Sequence, residues 1–86
     1  MSNPDHVLAK VQEAFKAVFD VAPQSVSLET SASDVTGWNS LGHLSLTTHL
    51  EQAFGFTFDV DELMEMESVR EIVRIISAKL PKQGLE

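Results

Sequence analysis

Gly37-Trp38-Asn39-Ser40-Leu41-Gly42-His43-Leu44-Ser45-Leu46 sets a hydroxyl where a loop turns into an apolar-periodic segment. Gly37 can take backbone angles closed to other residues and so suits a tight turn before a helix. Asn39 is a strong N-cap candidate, which puts Ser40 in the first helical turn. Leu41, Leu44, Leu46, Leu50 and Phe54 then recur as an apolar face between small polar residues, predicting a helix from about Ser40 to Phe54 that stops at Gly55. A serine at that position is exposed, and the unpaired amides around it favour an attached anion. The stretch reads as a handle for a phosphate-linked group.

Working outward, Asn3-Pro4-Asp5 looks like a helix start, and Val7, Leu8, Val11, Ala14, Phe15, Val18 and Phe19 follow at helical spacing. Lys10, Gln12, Glu13 and Lys16 fall on the opposite face, and Pro23 prevents a simple continuation. Residues 22–38 form a long polar loop, for which Val26, Leu28 and Val35 are the expected pins. Trp38 is read as packing that fixes this loop, with partner contact as the alternative. Beyond Gly55, Phe54-Gly55-Phe56-Thr57-Phe58 is a linker with apolar anchors. Asp59 and Glu62 then frame a short helix in which Leu63, Met64 and Met66 would face inward. Ser68-Val69-Arg70-Glu71 reads as a capping box that opens the last helix, with Val69, Ile72, Val73, Ile76 and Leu80 as its stripe and Pro81 as its stop. The fold class is therefore all-α: three main helices plus one short one, around a shared core. Residues 1–82 are read as a single domain and 83–86 as a tail or cloning remnant.

Composition narrows the function. With no cysteine among 86 residues, the chain has no disulfides and no thiolate chemistry of its own, so any thiol must come from an added group. No apolar run approaches membrane-spanning length and the N-terminus does not read as a signal peptide, so a soluble cytoplasmic protein is expected. All six basic residues (Lys10, Lys16, Arg70, Arg74, Lys79 and Lys82) lie toward the ends, whereas residues 17–69 hold nine acids and no lysine or arginine, within a net charge of −7. That middle repels nucleic acid and anionic membrane and attracts basic protein surfaces. Catalysis is not expected: Ser40 and His43 are three positions apart on one helix, and a bundle of this size leaves little room for a cleft. A metal site is not expected either, because His43 and His49 point to different helix faces and Asp59-Val60-Asp61 lacks the spacing of a calcium loop.

Asn39-Ser40-Leu41 resembles the Asp-Ser-Leu signature of acyl carrier proteins, and Trp38-Asn39-Ser40-Leu41-Gly42-His43-Leu44 resembles the longer Trp-Asp-Ser-Leu-Gly-His form. The resemblance covers roughly residues 7–80. It implies that Ser40, flanked by Asn39 and Leu41, carries a 4′-phosphopantetheine arm donated by coenzyme A, whose thiol holds an acyl or peptidyl group as a thioester. The implied partners are a phosphopantetheinyl transferase and acyl-loading, elongating or transferring enzymes with basic surfaces, meeting a monomer. Leu44, Ser45, Thr48, Glu51 and Gln52 lie on the helix side implied to meet them, with Asp61, Glu62 and Glu65 supplying further acidity; the alternative for Leu44 is an ordinary core position. Asn39 and Ser45 depart from the family, which often has acids at both places. Met64, Met66, Phe56 and Phe58 either line a pocket for an attached chain or belong to the core. The competing function is a carrier-like bundle that is never modified and serves as an adaptor between proteins.

Overall fold

The computed structural model describes residues 4–80; the expected Asn3 cap, the Pro81 stop and the 83–86 tail lie outside them. In chain order the elements are α1 (Pro4–Phe19), two single 3₁₀ turns (Pro23–Ser25 and Ala32–Asp34), α2 (Ser40–Phe54), α3 (Val60–Glu65) and α4 (Val69–Lys79). No named strand occurs among the described residues, and the all-α expectation holds. Helix α1 packs against both α2 and α4. Its Val7, Val11, Ala14 and Phe15 are fully buried together with Leu46 and Leu50 of α2 and Val69, Ile72 and Ile76 of α4. At about 0.8 kcal/mol per buried methylene, this three-helix contact is the main source of stability.

The ends of α2 follow from its terminal residues. Asn39 has extended backbone angles and its Oδ1 accepts the Gly42 amide at 2.9 Å. Gly55 is left-handed at φ 81°, a conformation that costs other residues about 1 kcal/mol or more, and returns its amide to the Glu51 carbonyl. Glu62 Oε1 accepts the Asp59 amide at 2.8 Å, completing the box at the start of α3. At α4 only half of the expected box forms: Ser68 Oγ accepts the Glu71 amide, but the Glu71 carboxylate turns to Arg74. An arginine three residues on within the same helix offers the carboxylate a charged donor, which is stronger than a neutral amide.

The long loop is held at several points. Val26 and Val35 are buried and Leu28 partly so, as the sequence suggested. Gln12, assigned to the solvent face of α1, instead reaches back and donates its Nε2 to the Val26 carbonyl at 2.7 Å. Further along, Ser31 pairs antiparallel with Ser68, through Ala32 N to Glu67 O (3.2 Å) and Val69 N to Thr30 O (2.8 Å). The loop is thereby tied to the α3–α4 junction as well as to α1.

Two apolar residues depart from the expected apolar faces: Leu41 is 75% exposed and Met64 71%, although each stands at an apolar-periodic position. Leu44, at 56%, is exposed and does not take the core position that was its alternative. For Leu41 and Leu44 the reason is geometric, since Leu46, Leu50 and half-buried Phe54 turn one side of α2 to the core and Leu41 and Leu44 lie on the other side of the helix. Leu63 of α3 is half-buried and Met66 just after it is buried, but six residues cannot turn every apolar side chain inward.

Candidate functional site

Ser40 is the first residue of α2 and is exposed. Its position is fixed by the turn before it. Gly37 takes φ 94°, and the Asn39 amide bonds back to the Gly37 carbonyl at 2.9 Å. A β-carbon on Gly42 would collide with that same carbonyl and sit 2.9 Å from Phe19 Cε1. The motif therefore needs both glycines, one for a backbone angle and the other for close approach.

Trp38 is 5% exposed and forms the floor of the site. Its ring meets Phe15 edge-on at 5.0 Å between centroids and stacks on His43 at 6.1 Å. The indole Nε1–H donates to His43 Nδ1 at 2.9 Å, which requires Nδ1 to be unprotonated. The remaining ring proton then sits on Nε2, which donates to the Leu63 carbonyl of α3 at 3.1 Å. His43 thus bridges the loop, α2 and α3. With both ring nitrogens occupied, it is not available as a base for Ser40. Among the described residues Ser40 Oγ has no hydrogen-bond partner, and no cluster of three or more His, Cys, Asp or Glu side chains is placed to hold a metal ion.

Beside Ser40 runs an open groove of about 310 Å³ walled by Ala32, Trp38, Asn39, His43, Leu63 and Met66, with Met64 and Glu67 at its lip. Of the four residues considered for a chain-binding pocket, Met64 and Met66 border this groove. Phe56 and Phe58 do not; they extend an aromatic ladder from Phe54, with centroids 5.9 Å and then 5.2 Å apart. Sequence reading missed Ala32, Leu63 and Glu67 as neighbours of Ser40, since nothing local marks three separate segments as converging there.

The residues expected to meet partners divide into two groups. Leu44, Ser45, Thr48 and Gln52 line a shallow depression on α2 together with Leu41 and His49. The acids are put to other use. Glu51 Oε2 accepts the Phe58 amide at 2.9 Å and so ties the linker to α2. Glu62 caps α3 and pairs with Lys79 at 3.1 Å, and these contacts hold its carboxyl below the usual glutamate range, the Asp59 amide first and Lys79 second. Glu65 pairs with Arg74 at 3.2 Å. Asp61 is exposed and takes part in none of the described ion pairs.

The site suits a phosphate ester. Ser40 Oγ is free, and the Ser40 and Leu41 amides have no acceptor among the described hydrogen bonds, so donors lie open beside the hydroxyl at the positive end of a 15-residue helix. Comparison with known proteins agrees with this chemistry. The family described as "Phosphopantetheine attachment site" matches residues 9–76. An acyl carrier protein of Petrotoga mobilis is 32% identical over 76 residues, covering 88% of this chain and 89% of the relative. Another acyl carrier protein, of Coprothermobacter proteolyticus, is 24% identical over 76 residues, at 88% and 93% coverage. The chain belongs to the phosphopantetheine-attachment family: it is a carrier protein rather than an enzyme, and its prosthetic group is a covalently attached 4′-phosphopantetheine.

Proposed function

We propose that Ser40 is the attachment residue and that the chain presents an acyl or peptidyl thioester to a succession of enzymes. The observation that carries this reading is the free Ser40 hydroxyl beside two unpaired amides at the start of α2. During loading, Ser40 Oγ forms a bond to the phosphorus at the pantetheine end of coenzyme A as the pyrophosphate P–O bond breaks. The nucleotide half leaves, and the serine proton passes to a base on the transferase, since His43 has none to offer. When attached, the arm supplies the thiol that this cysteine-free chain lacks. Asn39 holds the helix start in place, while Leu41 and Leu44 stand exposed together on one side of Ser40. The transferase and the loading, elongating or transferring enzymes would be drawn in by the net charge of −7, which favours basic surfaces at long range and discourages nucleic acid and anionic membrane. No helix among the described residues is long and apolar enough to cross a membrane.

Intact mass after incubation with coenzyme A, magnesium and a broad-specificity phosphopantetheinyl transferase tests the reading. One phosphopantetheine should be gained by the wild type and none by Ser40→Ala. A folded wild type that stays bare, along with an equally bare Asn39→Asp variant, overturns it in favour of an unmodified adaptor.

A further inference from the structure

Residues 40–50 of α2 carry no Asp, Glu, Lys or Arg. The exposed members of this run, Leu41, Leu44, Ser45 and Thr48, lie next to Ser40, within the area open to an enzyme whose reacting group comes within bonding distance of Ser40 Oγ. The face is contoured as well as uncharged. Leu41 stands out as an exposed knob, and beside it a depression of about 410 Å³ runs along α2 past Leu44, Ser45 and Thr48 to Gln52, with Val18 of α1 as its far wall. His49 is the one titratable side chain lining it. Of the acids nearest to it, Glu51 is turned to the Phe58 amide, Glu62 pairs with Lys79 and Glu65 with Arg74, and none of these nor exposed Asp61 lines the depression.

From this arrangement, and resting on Ser40 as the attachment residue, we infer that the face from Leu41 to Gln52 docks an apolar, hydrogen-bonding and uncharged surface of the arm-handling enzymes, not a basic one. The physical reason is desolvation. A lysine or arginine of the partner pressed into this depression would lose its water and find hydroxyls, an amide and leucine in place of a carboxylate. A partner pocket that takes Leu41 and Leu44 and bonds to Ser45, Thr48 and Gln52 loses nothing of that kind. It also matches the usual division of an interface into an apolar centre depleted of charge and a polar rim. The net negative charge of the chain then acts at a distance, in the encounter, and is absent from the contact itself.

Charge of either sign placed in the depression distinguishes the two kinds of partner. The probe is the same transferase with coenzyme A and magnesium, at about 0.15 M salt so that long-range attraction is screened. The measured quantity is kcat/KM for mass gain on the full chain, with helicity checked by circular dichroism. Thr48 is exposed, so Thr48→Glu and Thr48→Lys should both fold. For an uncharged partner surface both variants lose activity, each roughly tenfold, and Leu44→Gln loses a similar factor. Opposite effects, with Thr48→Glu faster and Thr48→Lys slower than wild type, would reveal a basic partner and overturn the inference while leaving Ser40 in its role. Wild-type rates in all three variants would also overturn it. If the wild type never gains mass, the attachment reading fails and the docking inference fails with it.

Discussion

Replacing His43 with leucine removes both ends of the bridge described above while keeping a side chain of similar bulk and good helix propensity. The larger loss is at Trp38, whose Nε1–H lies beneath the site with Nδ1 of His43 as its acceptor. A buried donor left unpaired costs about 1–3 kcal/mol. At the other end the penalty is smaller, because the Leu63 carbonyl also accepts the Met66 amide and can turn to water. The expected total is about 2 kcal/mol, against roughly 4–13 kcal/mol for a chain of this length at typical stability per residue. In melting temperature that is about 8–16 °C for a domain of this size. Urea unfolding followed by far-UV circular dichroism measures it, and Trp38, the single tryptophan, gives an independent fluorescence signal in the variants that keep it. A double-mutant cycle with Trp38→Phe isolates the bond: removing both partners should cost about 1 kcal/mol less than the two single losses added together. Additivity to within about 0.3 kcal/mol, or a His43→Leu variant as stable as wild type, would refute the bridging role.

Further perturbations probe other parts of the site. Gly42→Ala improves intrinsic helix propensity by about 1 kcal/mol, yet it should lower the melting temperature, because the added carbon meets the Gly37 carbonyl; a more stable variant by calorimetry would show that the turn yields. Asn39→Asp keeps the cap and adds a negative charge at the positive end of α2, so urea titration should find it more stable by about 0.3–1 kcal/mol, less at high salt. Glu62 should make an identifiable contribution to acid sensitivity. Its folded carboxyl titrates below the ordinary value of 4.5, so its contribution is fully present above that pH and is lost as the pH falls through the lower folded value. In Glu62→Gln, stability measured against pH should fall less over that acid window than in the wild type; identical slopes would exclude Glu62 as a source.

How much of this was legible in the sequence depends on distance along the chain. The bounds of α2 were readable because Asn39 and Gly55 act on their own neighbours, through a side-chain bond three residues on and a left-handed backbone. Ser40 was readable for the same reason. The links that shape the surroundings of Ser40 join distant positions: His43 to the Leu63 carbonyl, Ser31 to Ser68, and Gln12 to Val26. No spacing rule encodes them, because hydrogen-bonding side chains look alike whether they face water or a carbonyl far along the chain. Leu41, Leu44 and Met64 illustrate the opposite difficulty. Periodicity finds apolar residues on a face but does not say whether protein covers that face, and around Leu41 and Leu44 on the outward side of α2 none does. The ion pairs of the acids were not legible either, since counting charge along the chain does not show that Glu62 and Glu65 stand beside cations of α4.

The way α3 is fastened has a mechanical consequence. None of its six residues is buried, while Phe58 just before it and Met66 just after it are. The helix is a short span between two driven piles, clasped along its length by the Leu63 carbonyl contact and by two ion pairs near the surface. The exposed Glu65–Arg74 clasp is worth about 0–1 kcal/mol, while the half-buried Glu62–Lys79 pair and the Leu63 side chain packed on the core hold the span more firmly. The wall that α3 supplies beside Ser40 is thus fastened at its two ends and by a few polar clasps, while the α1–α2–α4 frame behind it is held by its buried side chains.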